Sequence, residues 1–409
     1  MYTRPSLRIV PKLLGQSPFV KQRLQLIQMR SILNYYSLKD EELKKIFTEF
    51  QEPLFRIKQI NHWVFDKGVS NFDEMKDIPK SLRDKLKETF RFGSLTLLSE
   101  QISRDGTKKR AYSLTDGQII ESVLMPYRDG RFTACISSQA GCAMKCSFCA
   151  TGQMGFARQL TAHEIFEQAQ QFSLELRAQD KRLSNIVLMG MGEPLANYKN
   201  VIAAINRIRE ELGIGARHIT ISTVGIVPRI YQLADNESHL QVNLAVSLHQ
   251  AEHSKRSALM PVNEKYPLAD LIEACHYYVK KTHRRVSFEW ALIANQTDTE
   301  ECAHQLGSLL QELTPLCHVN VIPLNPTKGY AGKPTNKEGV QKFIDILEKF
   351  YNVPTTVRMK RGIDIDAGCG QLKSELLKRM PPRKVVSDSS DGNNGIAEKE
   401  QDDMNNISV

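Results

Sequence analysis

A chain of 409 residues with 41% hydrophobic and 25% charged side chains has the composition of an ordinary globular protein. No apolar run reaches the roughly 18 residues that a membrane-spanning helix needs, and eight cysteines are too sparse for a disulfide scaffold. The formal charge is +9, but residues 387–409 carry six acids against Lys399, so the rest of the chain holds +14. A body of that sign attracts polyanions such as nucleic acid, or serves only to keep the protein soluble.

The first 39 residues contain seven Lys or Arg and no acid. Residues 1–28 read as a basic arm: a transit peptide, a mis-chosen start ahead of Met29, or a plain basic arm. No signal-peptide apolar core is present, so a cytoplasmic protein is expected, with organelle import as the alternative. Residues 29–92 read as a small basic helical domain able to grip RNA. Leu43, Ile46, Phe47 and Phe50 fall at helical spacing, as do Phe55, Ile60, Trp63, Val64 and Phe65. Pro53 and Pro79 punctuate this stretch, and Ser81 is expected to cap a helix.

Residues 93–131 switch to a period of two and form a short β extension. Strands at 95–98, 110–114 and 119–125 are joined by Asp-Gly turns. From 132 to 380 strands and helices alternate. Strands are expected at 132–136, 185–189, 218–222, 242–248, 285–293, 318–323 and 355–359. Helices are expected at 162–178, 198–211, 268–281, 299–313 and 337–350. Repeated βα units predict parallel strands with right-handed crossovers: an α/β fold with a partial (βα)6 TIM-like barrel and its chemistry at the C-terminal strand ends. Residues 381–409 read as a disordered acidic tail.

Three cysteines crowd into Gly141-Cys142-Ala-Met-Lys-Cys146-Ser-Phe-Cys149, directly after the strand at 132–136 and so in the first catalytic-end loop. Structural zinc sites take four ligands, usually from paired hooks, and no second hook exists here. A [4Fe–4S] cluster takes one cysteine per iron, so Cys142, Cys146 and Cys149 would leave one iron open to a small chelating molecule. That set is the signature of the radical S-adenosylmethionine (SAM) enzymes, and Phe148 fits the aromatic residue common before the third cysteine. Polar segments follow the later strands: Met189-Gly-Met-Gly192-Glu193-Pro194, then Ser222-Thr223, Ser247-Leu248-His249 and Asn325-Pro326. Gly192, Glu193, Ser222, Ser247, Leu248, His249 and Asn325 are therefore the candidate contacts to S-adenosylmethionine.

Two further cysteines stand apart. Cys135 lies on the strand leading into the cluster loop, and Cys369 follows the last strand in Asp366-Ala-Gly-Cys369-Gly370. A glycine-flanked loop gives no packing reason for a thiol, and it is expected to leave the sulfur exposed and the backbone mobile. Cys275, Cys302 and Cys317 read as small buried hydrophobes.

With both extra cysteines, the GMGEP segment, the IPLNP segment and the DIDAGCGQL loop in order, the chain from about Met29 to Met380 resembles the RlmN/Cfr family of radical SAM RNA methyltransferases. The resemblance implies that Cys369 takes a methyl group from one S-adenosylmethionine. A second molecule, cleaved at the cluster, supplies the radical that removes a hydrogen from that methyl. The carbon then adds to adenine, leaving RNA attached to Cys369, and Cys135 releases it by forming a transient disulfide. Glu121 matches the family's proton acceptor, although a strand glutamate by itself is usually a solvated face.

Implied substrates are an adenosine near the peptidyl-transferase centre of 23S rRNA, methylated at C2, and the adenosine 3′ of the tRNA anticodon. Implied partners also include a small flavodoxin- or ferredoxin-type reductant, with no membrane and a monomeric enzyme. Cfr-type methylation at C8 uses the same cysteines and stays open. Other classes stay open as well: a non-catalytic RNA-binding protein with a structural metal, and a glycyl-radical activating enzyme, which would not need Cys369.

Overall fold

The structure is a computed structural model that describes residues 32–38, 40–69 and 71–373. The basic arm at 1–28 and the acidic tail at 381–409 lie outside the described residues. The chain divides into two compact units between Phe92 and Gly93.

The first unit holds helices α1 (Asp40–Glu49), α2 (Phe55–Asn61) and α3 (Lys80–Thr89). Their apolar stripes close on one core that includes Tyr35, Phe47, Ile60, Val64, Phe72, Met75, Leu82 and Leu86. Leu33–Asn34 pairs in parallel with Phe90–Arg91, tying the two ends of the unit together. Two expectations change here. Helix α3 begins at Lys80 with Pro79 in the N-cap position and no side-chain cap, which leaves Ser81 inside the helix. The unit is also hardly basic: residues 29–92 carry 13 Lys or Arg against 11 Asp or Glu. Its lysines are matched by acids such as Asp73, which lies 2.5 Å from Lys87.

The second unit is built on one ten-stranded sheet. Its strands are β1 (Thr96–Ile102), β2 (Lys108–Ser113), β3 (Ile119–Pro126), β4 (Phe132–Cys135), β5 (Asn185–Leu188), β6 (Ile219–Thr223), β7 (Asn243–Ser247), β8 (Val286–Leu292), β9 (Cys317–Pro323) and β10 (Thr355–Val357). Each strand pairs with its neighbours in sequence, so spatial order follows chain order from β1 to β10. Strands β1 to β4 are antiparallel, and β4 to β10 are parallel. The β extension is thus continuous with the barrel sheet rather than a separate layer.

Six helices make the crossovers: α4 (Ala162–Arg177), α5 (Tyr198–Leu212), α6 (Val227–Asn236), α7 (Leu268–Thr282), α8 (Glu300–Leu310) and α9 (Lys337–Tyr351). Six βα units and a short closing strand make a partial (βα)6 barrel, open between its first and last strands. The buried strands are apolar runs such as Asn243–Ser247 and Val286–Leu292, as parallel sheets covered on both faces require. Helix α6 is the crossover that periodicity leaves unassigned. Its Pro228 reads as a breaker but sits in the first turn, where no N–H partner is lost.

Candidate active site

The parallel strands bring their C-terminal ends to one rim, where the candidate residues gather except Glu121, which lies within β3. The cysteine loop is fixed at its base by a short antiparallel ladder between Gln139–Gly141 and Phe156–Gln159. Gly141 has φ +80°, and a Cβ there would collide with the Gly155 carbonyl, so the loop can be entered only through glycine. Inside it, Cys142 N donates to Gly155 O at 2.8 Å and Ser147 N donates to Leu259 O at 3.0 Å. The three sulfurs sit against Met144, Leu259, Met260, Val262, Ile293 and Leu324, an apolar shell.

Burial pushes the Cys142 thiol up to about 12 and Cys146 well above its ordinary value. Alone, these sulfurs would stay protonated; a cationic iron centre that displaces the protons satisfies them. Among the described residues no three His, Cys, Asp or Glu side chains are arranged to hold a single metal ion. A cubane does not ask for that, because each cysteine binds a different iron.

Arg256, missed by sequence reasoning, supports the same fit. It is fully buried and donates only to neutral acceptors: Leu248 O at 3.1 Å, Asn263 Oδ1 at 2.8 Å, Val224 O at 2.8 Å and Ser247 O at 3.2 Å. Cys146 is the ionisable group whose charge acts on it most strongly. A buried cation without a carboxylate beside thiolate ligands matches an anionic cluster as its counter-charge.

The three cysteines open into a cavity whose walls include Gly192, Glu193, Ser222, Ser247, His249, Asn325 and Cys369. Gly192 adopts φ +105°, and an added Cβ would lie 2.5 Å from Gln139 Cβ. Gln139 Oε1 in turn accepts the Glu193 N–H at 2.8 Å. Glu193 is buried, and its carboxylate accepts Leu195 N at 3.0 Å and Val224 N at 2.8 Å. Burial raises it to about 7 despite these bonds, so an ammonium group in the cavity would complete it.

His249 is buried with its pKa driven down to about 3, chiefly by desolvation. Ala291 N donates to Nδ1 at 2.9 Å, so the neutral ring carries its proton on Nε2. Phe148 packs edge-on against this ring at 4.8 Å.

Cys369 lines this cavity and also a second, adjoining one lined by Cys135, Met125, Met189, Asn325 and Arg358. The expectation of a mobile loop with an exposed sulfur needs correction. Asn325 Nδ2 donates to Cys369 O at 3.1 Å, Ala150 N donates to Gly370 O at 2.8 Å, and Gly368 N donates to Gln371 Oε1 at 3.1 Å. The thiol is half-buried in a tethered loop. Burial pushes the Cys135 thiol up to about 12, with the neighbouring Cys369 raising it further and Arg358 opposing.

Arg358 and Glu289 were not among the candidates. The Arg358 Nη1 lies 3.5 Å from Glu289 Oε2 and 3.4 Å from Met189 Sδ, beside both thiols. A glutamate inside the apolar run of β8 was the available signal for Glu289.

Two candidates are not brought to the cavity wall. Leu248 is fully buried behind it, its N–H donating to Glu289 O at 3.1 Å. Glu121 is buried on β3, where its Oε2 accepts Lys373 N at 2.9 Å and Oε1 lies 3.9 Å from Lys109 Nζ. Cys275, Cys302 and Cys317 are fully or almost fully buried among apolar side chains.

Fold and cysteine loop together define a radical SAM enzyme, and a profile of the radical SAM superfamily matches residues 136–305. The profile of the ribosomal RNA large subunit methyltransferase N-terminal domain matches residues 33–91. The chain is 50% identical over 319 residues to dual-specificity RNA methyltransferase RlmN 1 of Myxococcus xanthus, covering 77% of this chain and 87% of that one. It is 46% identical over 349 residues to the probable RlmN of Caldanaerobacter subterraneus, covering 84% and 99%. A radical SAM methyltransferase of Sphaerobacter thermophilus superposes with a TM-score of 0.79 at 42% identity, covering 84% of this chain and all of that one. The chain belongs to the RlmN family of radical SAM RNA methyltransferases. A 4Fe–4S cluster, S-adenosylmethionine and an RNA substrate come with that membership.

The Gly192 turn is a direct test of the cofactor cavity. Gly192→Ala must move Gln139 or give up the φ +105° turn, displacing Glu193. Affinity for S-adenosylmethionine, measured anaerobically by calorimetry, is expected to fall about tenfold or more, roughly 1.4 kcal/mol. Wild-type affinity in a folded variant would mean that Glu193 does not contact the ligand.

Proposed function

We propose that this enzyme methylates C2 of an adenosine near the peptidyl-transferase centre of 23S rRNA and the adenosine 3′ of the tRNA anticodon, using Cys369 as a covalent carrier. The observation that carries this is the thiol pair: Cys369 lines the cofactor cavity and, together with Cys135, the pocket beside it. The dual specificity in the relatives' descriptions supports two classes of RNA.

A cluster on Cys142, Cys146 and Cys149 would supply, with bound S-adenosylmethionine, a 5′-deoxyadenosyl radical. The residues of the chain do the rest. Cys369 accepts a methyl group through its sulfur, and it gives up one hydrogen atom of that methyl to the radical. The carbon, still bonded to Cys369, joins the electron-poor adenine carbon, a position with no lone pair for direct displacement on a sulfonium. The adduct radical gives up one electron, which the oxidised cluster would take back, and loses the proton of the attacked carbon to a base. The Cys135 thiolate then attacks the Cys369 sulfur, and the sulfur–carbon pair stays with the carbon, which takes a proton from solvent. A disulfide remains as methylated RNA departs.

Two molecules of S-adenosylmethionine are used per turnover, one as methyl donor and one as radical source. Asn325 holds the Cys369 carbonyl, and His249, on the cavity wall, would offer its Nε2–H to bound S-adenosylmethionine. Glu121 serves as proton acceptor once its carboxylate leaves Lys373 N–H, which couples this role to movement of the loop after Cys369. A small flavodoxin- or ferredoxin-type protein reduces the cluster of a monomeric cytoplasmic enzyme.

Digestion of product RNA to nucleosides, followed by mass spectrometry against synthetic standards, tests the regiochemistry. The expected nucleoside is 2-methyladenosine; 8-methyladenosine would assign the enzyme to the Cfr type.

A further inference from the structure

The pocket over Cys135 and Cys369 is lined, besides Met189 and Asn325 of the cofactor segments, by the stretch of chain that follows β10. The chain leaving β10 runs through Arg358 into Met359, Lys360 and Arg361, and all four line this pocket with the two thiols. Met359 is 64% exposed, an unbranched apolar side chain standing at the edge of an opening. Lys360 is exposed, while Arg361 is held in place. Its Nη1 donates to Pro126 O at 2.6 Å, and its guanidinium lies 4.2 Å from the centre of the Tyr127 ring. Arg131 approaches the same ring at 5.1 Å, and Arg128 is exposed in the adjoining turn.

The acids nearby are already engaged. Asp105 accepts Thr107 N at 2.9 Å and Gly362 N at 3.1 Å. Asp364 accepts Ser103 Oγ at 2.5 Å and Arg104 N at 3.3 Å, and Asp129 pairs with Arg131 at 2.8 Å. Arg128, Lys360 and Arg361 keep no carboxylate partner among the described residues. Among the described residues in the wall of the cofactor cavity, by contrast, Arg358 is the sole Lys or Arg.

An adenine that reacts at Cys369 must leave its stack, so the protein has to hold the flanking phosphates and support the gap left behind. Exposed cations do the first, and a pre-ordered guanidinium offers both a phosphate clamp and a flat face for a base. Apolar side chains such as methionine do the second by wedging against a broken stack. We propose that RNA enters over this stretch of chain, its backbone lying across Lys360 and Arg361 and Met359 set against the bases flanking the extruded adenine. This rests on Cys369 being the carbon carrier, since only then must a base reach this pocket.

The test uses holoenzyme and a synthetic RNA hairpin carrying the target adenosine in its loop. Binding is followed by fluorescence anisotropy at several salt concentrations. Lys360→Glu should weaken binding at least about tenfold and lower the salt slope by about one. Lys280→Glu, near the end of α7 and so at the opposite end of the strands, should leave both unchanged. Met359→Ala should bind within about threefold of wild type yet transfer carbon to adenine at least about tenfold more slowly. Methylation of Cys369 without RNA, read from intact-protein mass, should stay at the wild-type rate in all three variants.

Wild-type binding by Lys360→Glu, an equal loss in Lys280→Glu, or normal transfer by Met359→Ala would each overturn this entry route. A wild-type enzyme that never methylates Cys369 would instead remove the carrier role on which the route depends.

Discussion

Replacement of Cys135 by alanine should stop the reaction with RNA covalently attached to Cys369. Both thiols line the same pocket, and Cys275, Cys302 and Cys317 are buried elsewhere on α7, α8 and β9. No other thiol outside the cluster loop is placed to break the adduct. Turnover should fall on the order of a thousandfold, because cleavage of the sulfur–carbon bond is lost while every earlier step survives.

The trapped species would appear as an RNase-sensitive shift on a denaturing protein gel. Cys369→Ala should show neither adduct nor product, and the double variant should match Cys369→Ala, since a resolving thiol has nothing to act on without the carrier. Loss of one small buried sulfur costs about 1 kcal/mol at most positions, so a merely structural role would leave turnover intact. An active Cys135→Ala enzyme would end the resolving role, and an active Cys369→Ala enzyme would end the carrier role.

Alanine at Cys142, Cys146 or Cys149, one at a time, should remove the cluster and all methylation. With these three as its ligands, a cluster would already have one iron without a protein ligand, and two could not hold the cubane. The sulfurs are packed against Met144, Met260, Ile293 and Leu324, so removing one leaves an apolar gap on that side of the site. Iron content after anaerobic reconstitution should fall below about a tenth of wild type, with helix content by circular dichroism unchanged. Near-stoichiometric iron in any single variant would refute the ligand assignment. Chelation of wild-type enzyme should give the same loss, reversibly.

The alternation of strands and helices was readable because each parallel strand is an apolar run bounded by a glycine or polar loop, as in β7 and β8. Helix α6 was not, since Pro228 in a first turn looks like a breaker until the crossover demands a helix. The cysteine loop stood out from spacing, because all three cysteines lie within eight consecutive residues. Arg256, Glu289 and Arg358 were not, because their meaning comes from strands and loops far apart in sequence meeting at one rim. Glu121, matched by resemblance, lies on β3 with its carboxylate against the Lys373 N–H and Lys109 rather than on the cavity wall, a placement that only the tertiary structure reveals. Gly368 and Gly370 suggested a loose Cys369 loop, but bonds from Asn325 and Ala150 hold it, which tertiary contacts alone reveal.

The most direct measurement of the carrier mechanism is the deuterium content of the methyl group delivered from S-adenosylmethionine bearing a trideuterated methyl. If the methyl rests on Cys369 and loses one hydrogen atom before bonding to adenine, one deuterium leaves in 5′-deoxyadenosine and the third hydrogen of the product comes from solvent. The methylated adenosine should therefore contain two deuteriums by mass spectrometry, with one deuterium in the 5′-deoxyadenosine. A product that keeps all three deuteriums would mean direct displacement on the sulfonium and would contradict the account.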